Sequence, residues 1–183
     1  MESRSEDGPP RGALIAALVV AVGAVLAVLV VVAVLQRPGG PGPVSVAALP
    51  APQAQDPHCR SLLDALPEQL GDYQRAELVE PAPTGAAAWQ HPDGGEAVIL
   101  RCGLSRPGEF VVGVPLQMVD AVSWLRVTDD GSADGRTTWF AVDRPVYVAL
   151  TLPAGSGPTP IQVLSAAITE SLPERRIDPG PPR

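Results

Sequence analysis

"VSWLRVTDDGSADGRTTWFAVDRPVYVALTL", residues 122–152, is the stretch on which the fold turns. It holds three short runs rich in Val, Thr, Trp, Phe and Tyr, separated by turn residues, and that composition marks strands. In the first run Val122, Trp124, Arg126 and Thr128 alternate with Ser123, Leu125 and Val127, the period of two of a pleated chain. "DDGSADG" at 129–135 is the connecting loop, so Trp124 and Trp139 come within reach of each other across a hairpin. A second interruption, Asp143-Arg144-Pro145, separates "TTWFAVD" from "YVALTL" and reads as a turn carrying a solvated ion pair.

Upstream, "RAELVE", "AAAWQH", "EAVILRCGL" and "LQMVD" continue the pattern, with "PDGG" at 92–95 as a turn. Two helices bracket these strands. "DPHCRSLLDALP" at 56–67 offers Asp56 as N-cap and Pro57 at the first helical position, and it places Cys59, Leu62, Leu63 and Leu66 on one face. In "TPIQVLSAAITESL" at 159–172, Thr159 caps, Pro160 opens, and Ile161, Leu164, Ile168 and Leu172 line one side. Runs of strands between helices predict an α+β domain over residues 58–172, a small mainly antiparallel sheet with two helices packed on it.

The N-terminal third has a different character. Residues 13–35, "ALIAALVVAVGAVLAVLVVVAVL", carry no polar side chain, and as a helix they would extend roughly 35 Å against a hydrocarbon core of about 30 Å. The expectation is a single N-terminal transmembrane helix, a signal-anchor with the lipid bilayer as its partner. The run is longer than the apolar region of a cleaved signal peptide. Cys59, preceded by "DPH" and far from Leu35, does not suit a lipoprotein signal. Arg4, Arg11 and the terminal amine precede the helix, against Arg37 soon after it. Residues 1–12 are therefore expected as a cytoplasmic tail, and the domain outside the plasma membrane. Residues 36–57, rich in proline and glycine, read as a spacer, and residues 173–183 as a disordered tail.

Outside the cytoplasm Cys59 and Cys102 allow one intramolecular disulfide, tying the first helix to the strand "VILRC", with two buried free thiols as the alternative. The basic residues of the 183-residue chain, 13 in all, are arginine throughout; they face 20 acids for a formal charge of −7. With no basic run, nucleic acid is excluded as a partner.

No constellation points to a catalytic residue, a cofactor or a metal. Asp130, Ser132, Asp134 and Gly135 match the start of a calcium loop, but its twelfth place is Ala141 instead of a bidentate Glu. His58 and His91 have no second ligand at zinc spacing. There is neither a G-x-S-x-G elbow nor a phosphate-cradling glycine loop. Trp89, Trp124, Trp139, Phe140 and Tyr147 read as core. The one sharper expectation is a ligand groove lined by Arg144 with Trp124 and Trp139.

In sequence order, "CRSLLDALPEQL", "AAAWQHP", "VILRCGL", "VSWL", "TTWFAVDRPVYVALTLP" and "LSAAITESLP", behind one apolar helix, resemble an actinobacterial family of small single-pass membrane proteins defined only as a domain of unknown function. The resemblance spans residues 55–173. It implies an actinobacterial envelope location and a paired use of Cys59 and Cys102, and it brings no catalytic or binding residue. The functional expectation is a membrane-tethered, non-enzymatic domain that binds a protein partner or an envelope component; the alternative is an envelope hydrolase or transferase.

Overall fold

A computed structural model of the protein describes residues 11–35, 42–128 and 135–182. Residues 1–10 of the expected tail, the start of the spacer at 36–41 and the calcium-like residues Asp130, Ser132 and Asp134 lie outside these residues. The chain divides into two units, Met1–Gly39 and Gly40–Arg183.

The first unit contains α1, Arg11–Leu35. The expected transmembrane helix over 13–35 is corrected here: among the described residues no helix is long and apolar enough to cross a membrane.

The second unit is α+β. Its elements in chain order are α2 (Pro57–Ala65), β1 (Gln69–Leu70), β2 (Tyr73–Ala76), β3 (Ala86–Gln90), β4 (Val98–Leu104), β5 (Gln117–Val119), β6 (Val122–Thr128), β7 (Thr137–Ala141), β8 (Tyr147–Leu152) and α3 (Thr159–Ser171). The eight strands form one antiparallel sheet in the order β1-β2-β3-β4-β8-β7-β6-β5. Four hairpin-connected strands thus form each half, and β4 and β8 join the halves at the centre. Both joining strands are largely buried, which explains why "VILRCGL" and "YVALTL" are nearly continuous apolar runs.

Alternation along each strand sends two sets of side chains to opposite faces. Val122, Trp124, Trp139, Val148, Leu150, Val98, Leu100 and Trp89 meet α2 and α3 in the main core. Asp56 caps α2 as expected: its carboxylate accepts from the His58 backbone N–H at 2.8 Å. That bond, with a second from the His58 ring, holds the Asp56 carboxyl below the usual range. At α3 the cap position is Pro158 and Thr159 is already helical, with no side-chain capping bond. The apolar stripe is nonetheless buried, because Ile161, Leu164 and Ile168 recur at helical spacing against the sheet.

The other face is covered by chain without regular structure. Val44 and Val46 lie over Ala76, Ala88 and Ile99, and Phe110 lies over Leu125 and Val142. The proline-rich spacer is therefore part of the domain from residue 42 onward: the Val44 N–H donates to the Glu77 carbonyl at 2.8 Å, and the Val79 N–H to that of Val44 at 3.0 Å. The C-terminal segment is held as well, since the Arg175 N–H donates to the Asp143 carbonyl at 2.8 Å and Gly180 exchanges bonds with the 110–112 backbone. Proline-rich backbone builds no ladder, yet its carbonyls and remaining N–H groups serve single bridges of this kind.

Gly103 marks where the backbone of Gln53 and Ala54 crosses β4. Register shifts between Cys102 and Leu104, φ at Gly103 is +85°, and its carbonyl accepts from the Gln53 N–H at 3.0 Å. A Cβ there would collide with the backbone of Gln53 and Ala54. Gly103→Ala is expected to cost about 2 kcal/mol or more and to free residues 42–56 for proteolysis. Unchanged urea midpoints and cleavage rates would show that the crossing tolerates a side chain.

Candidate functional site

The connection from β7 to β8 builds the site. Asp143 and Arg144, expected as a solvated pair, are instead only 4% and 7% exposed. Asp143 Oδ2 accepts from the Ser123 N–H at 2.7 Å, while its Oδ1 lies 3.0 Å from Arg144 Nη1. Arg144 Nη1 also donates to the Asp143 carbonyl at 3.0 Å, and Nη2 to the Ala121 carbonyl at 2.7 Å. The two charges thus pin this connection to the β5–β6 turn. They are buried because the Phe110 loop and the returning C-terminal segment close over that side of the sheet. Arg144 Nε is buried and has no partner among the described residues.

Arg144 forms part of the wall of a cavity of about 330 Å³, with Val142, Pro145 and Tyr147 from the sheet side and Arg175, Arg176 and Asp178 from the returning segment. Asp178 is held by Arg106, whose Nη1 lies 3.7 Å from the carboxylate and 3.4 Å from the Asp178 carbonyl. The Tyr147 ring stands edge-on to Phe110 at 6.4 Å. Burial pushes the Tyr147 hydroxyl above its ordinary value; Arg106 opposes this and Asp178 adds to it. At neutral pH the phenol is therefore protonated and available as a donor.

The structure does not bring Trp124 and Trp139 to this cavity. Both lie on the helix-covered face, as the period of two along β6 and β7 requires, whereas Val142 and Tyr147 belong to the Phe110 cluster. Trp124 is fully buried, and its indole N–H donates to Ser165 Oγ in α3 at 3.0 Å. Trp139 sits in diagonal register to it, under the Arg126 guanidinium at 5.7 Å. Of the three residues expected in one groove, Arg144 alone lines the cavity. Arg175, Arg176 and Asp178 were hidden in a segment whose composition reads as frayed; the adjacent arginines of "PERRIDPG" were its one chemical signal.

A second cavity, about 460 Å³, is lined by Arg75, Glu77, Leu78, Glu80 and Ala82, among others. Two of its charges are engaged within the protein: Arg75 lies 4.8 Å over the Trp89 ring, and Glu80 accepts from the Ala82 N–H at 2.9 Å. Among the described residues no group of three or more His, Cys, Asp or Glu is placed to hold a metal. His58 pairs with Asp56 at 2.8 Å and His91 with Asp93 at 3.4 Å, each close in sequence to its partner. The two cysteines are joined: Cys59 of α2 and Cys102 of β4 form a buried disulfide with Cα atoms 5.6 Å apart.

Together these features define a class, a disulfide-tied α+β domain with an arginine-lined cavity beside its central turn. Residues 18–177 match the model of the family described as "Protein of unknown function (DUF3515)", and the chain belongs to that family. No curated protein and no solved structure matches it.

Proposed function

We propose that this domain is a non-enzymatic binding module that acts outside the cytoplasm, in an actinobacterial cell envelope, and recognises a protein partner or an envelope component. The arginine-lined cavity carries the reading. Its cationic groups are guanidinia, which donate hydrogen bonds and hold charge but do not exchange protons at physiological pH. The protonated Tyr147 adds a donor, and the carboxylate at the rim, Asp178, is paired with Arg106. A hydrolase or transferase would be better served by a carboxylate or imidazole with its pKa shifted toward neutrality. The Cys59–Cys102 bridge supports an oxidising compartment, and exclusive use of arginine over lysine agrees with a GC-rich actinobacterial genome.

The test is a crosslinked pull-down from envelopes with the full chain and its Arg175→Glu/Arg176→Glu variant. Repeated recovery of one specific component, lost on charge reversal, is expected. Recovery of no specific component, or equal recovery by the variant, would overturn the reading.

A further inference from the structure

We infer that the Arg144 cavity is a binding site for a phosphate monoester group. This deepens the binding-module reading and rests on it. The first observation is the Arg144 guanidinium itself, whose side chain is 2% exposed and whose Nε–H has no partner among the described residues. Nη1 and Nη2 are committed to Asp143 and Ala121, so the remaining donor capacity of the group is not met by the protein. A buried donor left unmade is unfavourable, and the residue that carries it forms part of the cavity wall.

Charge supplies the second observation. Asp143 neutralises Arg144, and Arg106 pairs with Asp178, which among the described residues leaves Arg175 and Arg176 as two positive charges on the wall. A phosphate monoester carries about −1.5 to −2 at pH 7 and balances them, whereas a monocarboxylate supplies half as much. Planar guanidinium forks match its oxygens in pairs, and the Tyr147 hydroxyl adds a neutral donor. The cavity volume of about 330 Å³ falls at the lower end of the roughly 300–1,000 Å³ of small-molecule sites. Val142, Pro145 and the Tyr147 ring supply an apolar wall for the carbon part of the ester.

The experiment titrates the full chain with glycerol 3-phosphate and, separately, with acetate, read by calorimetry. Saturable binding of glycerol 3-phosphate is expected, at least about tenfold tighter than acetate. Arg175→Ala/Arg176→Ala, at exposed positions, is expected to weaken it at least about tenfold with no change in Tm. Arg144→Lys, which keeps the charge but removes the Nε–H and the fork, should weaken it severalfold; if that variant does not fold, the exposed pair still decides. Absence of saturable binding, equal affinity for acetate, or unchanged affinity in the double variant overturns the proposal. A partner recovered by pull-down but no phosphate bound would leave the binding module standing and remove only the phosphate. Competition distinguishes the source: displacement of a captured envelope polymer by glycerol 3-phosphate assigns a polymer-borne ester, and binding without displacement assigns a free one.

Discussion

Replacing both Cys59 and Cys102 with alanine is expected to lower the stability of the domain by about 4 kcal/mol. The bridge closes a loop with a sequence separation of 43, and the chain-entropy relation for a loop of that length gives about 4 kcal/mol at 25 °C. Small domains are stable by only about 5–15 kcal/mol, so the loss is a large fraction of the total. For a domain of this size it corresponds to a fall in Tm of roughly 10–20 °C. Both sulfurs are buried in the main core between α2 and β4, so the alanines also leave unfilled volume. Urea unfolding of the wild type, oxidised and reduced, and of the double variant checks this. A difference below about 1 kcal/mol would mean that the reduced unfolded chain is already compact near these residues.

The second large effect is expected at Asp143. Asp143→Ala removes the acceptor for the Ser123 N–H and leaves the Arg144 guanidinium buried beside no anion. Breaking one member of a buried pair costs about 3–5 kcal/mol, most of it the penalty of the orphaned charge. Asp143→Ala combined with Arg144→Met is therefore expected to cost less than Asp143→Ala alone, although the bond to the Ala121 carbonyl is lost as well. Additive losses in the double-mutant cycle would show that the two side chains act independently, as they would in a solvated turn.

Much of the sheet could be read from local pattern. The strands at 122–128, 137–141 and 147–152 follow from alternation and turn residues, and the buried stripes of α2 and α3 from helical spacing. β1 escaped, because two residues carry no period. The membrane expectation rested on the apolar run at 13–35, and among the described residues no helix is long and apolar enough to cross a membrane. The site was less visible still. Arg144 stands out in sequence as a charge between two strands, but its burial depends on chain that returns from residues 175–180 and on the Phe110 loop, contacts of long sequence separation. Grouping it with Trp124 and Trp139 failed for a geometric reason: those tryptophans alternate onto the helix side, and the cavity opens elsewhere.

The ends of the sheet carry a consequence of their own. Its outermost strands, β1 and β5, are two and three residues long. Each presents too few unpaired backbone groups to template a foreign strand, which guards the domain against edge-to-edge polymerisation where extended chains are crowded. The same brevity closes the route of recognition by strand addition, in which main-chain bonds supply the affinity. For the binding module proposed above, selectivity then resides in side chains, and changing its ligand becomes a matter of a few arginine codons rather than of rebuilding its frame.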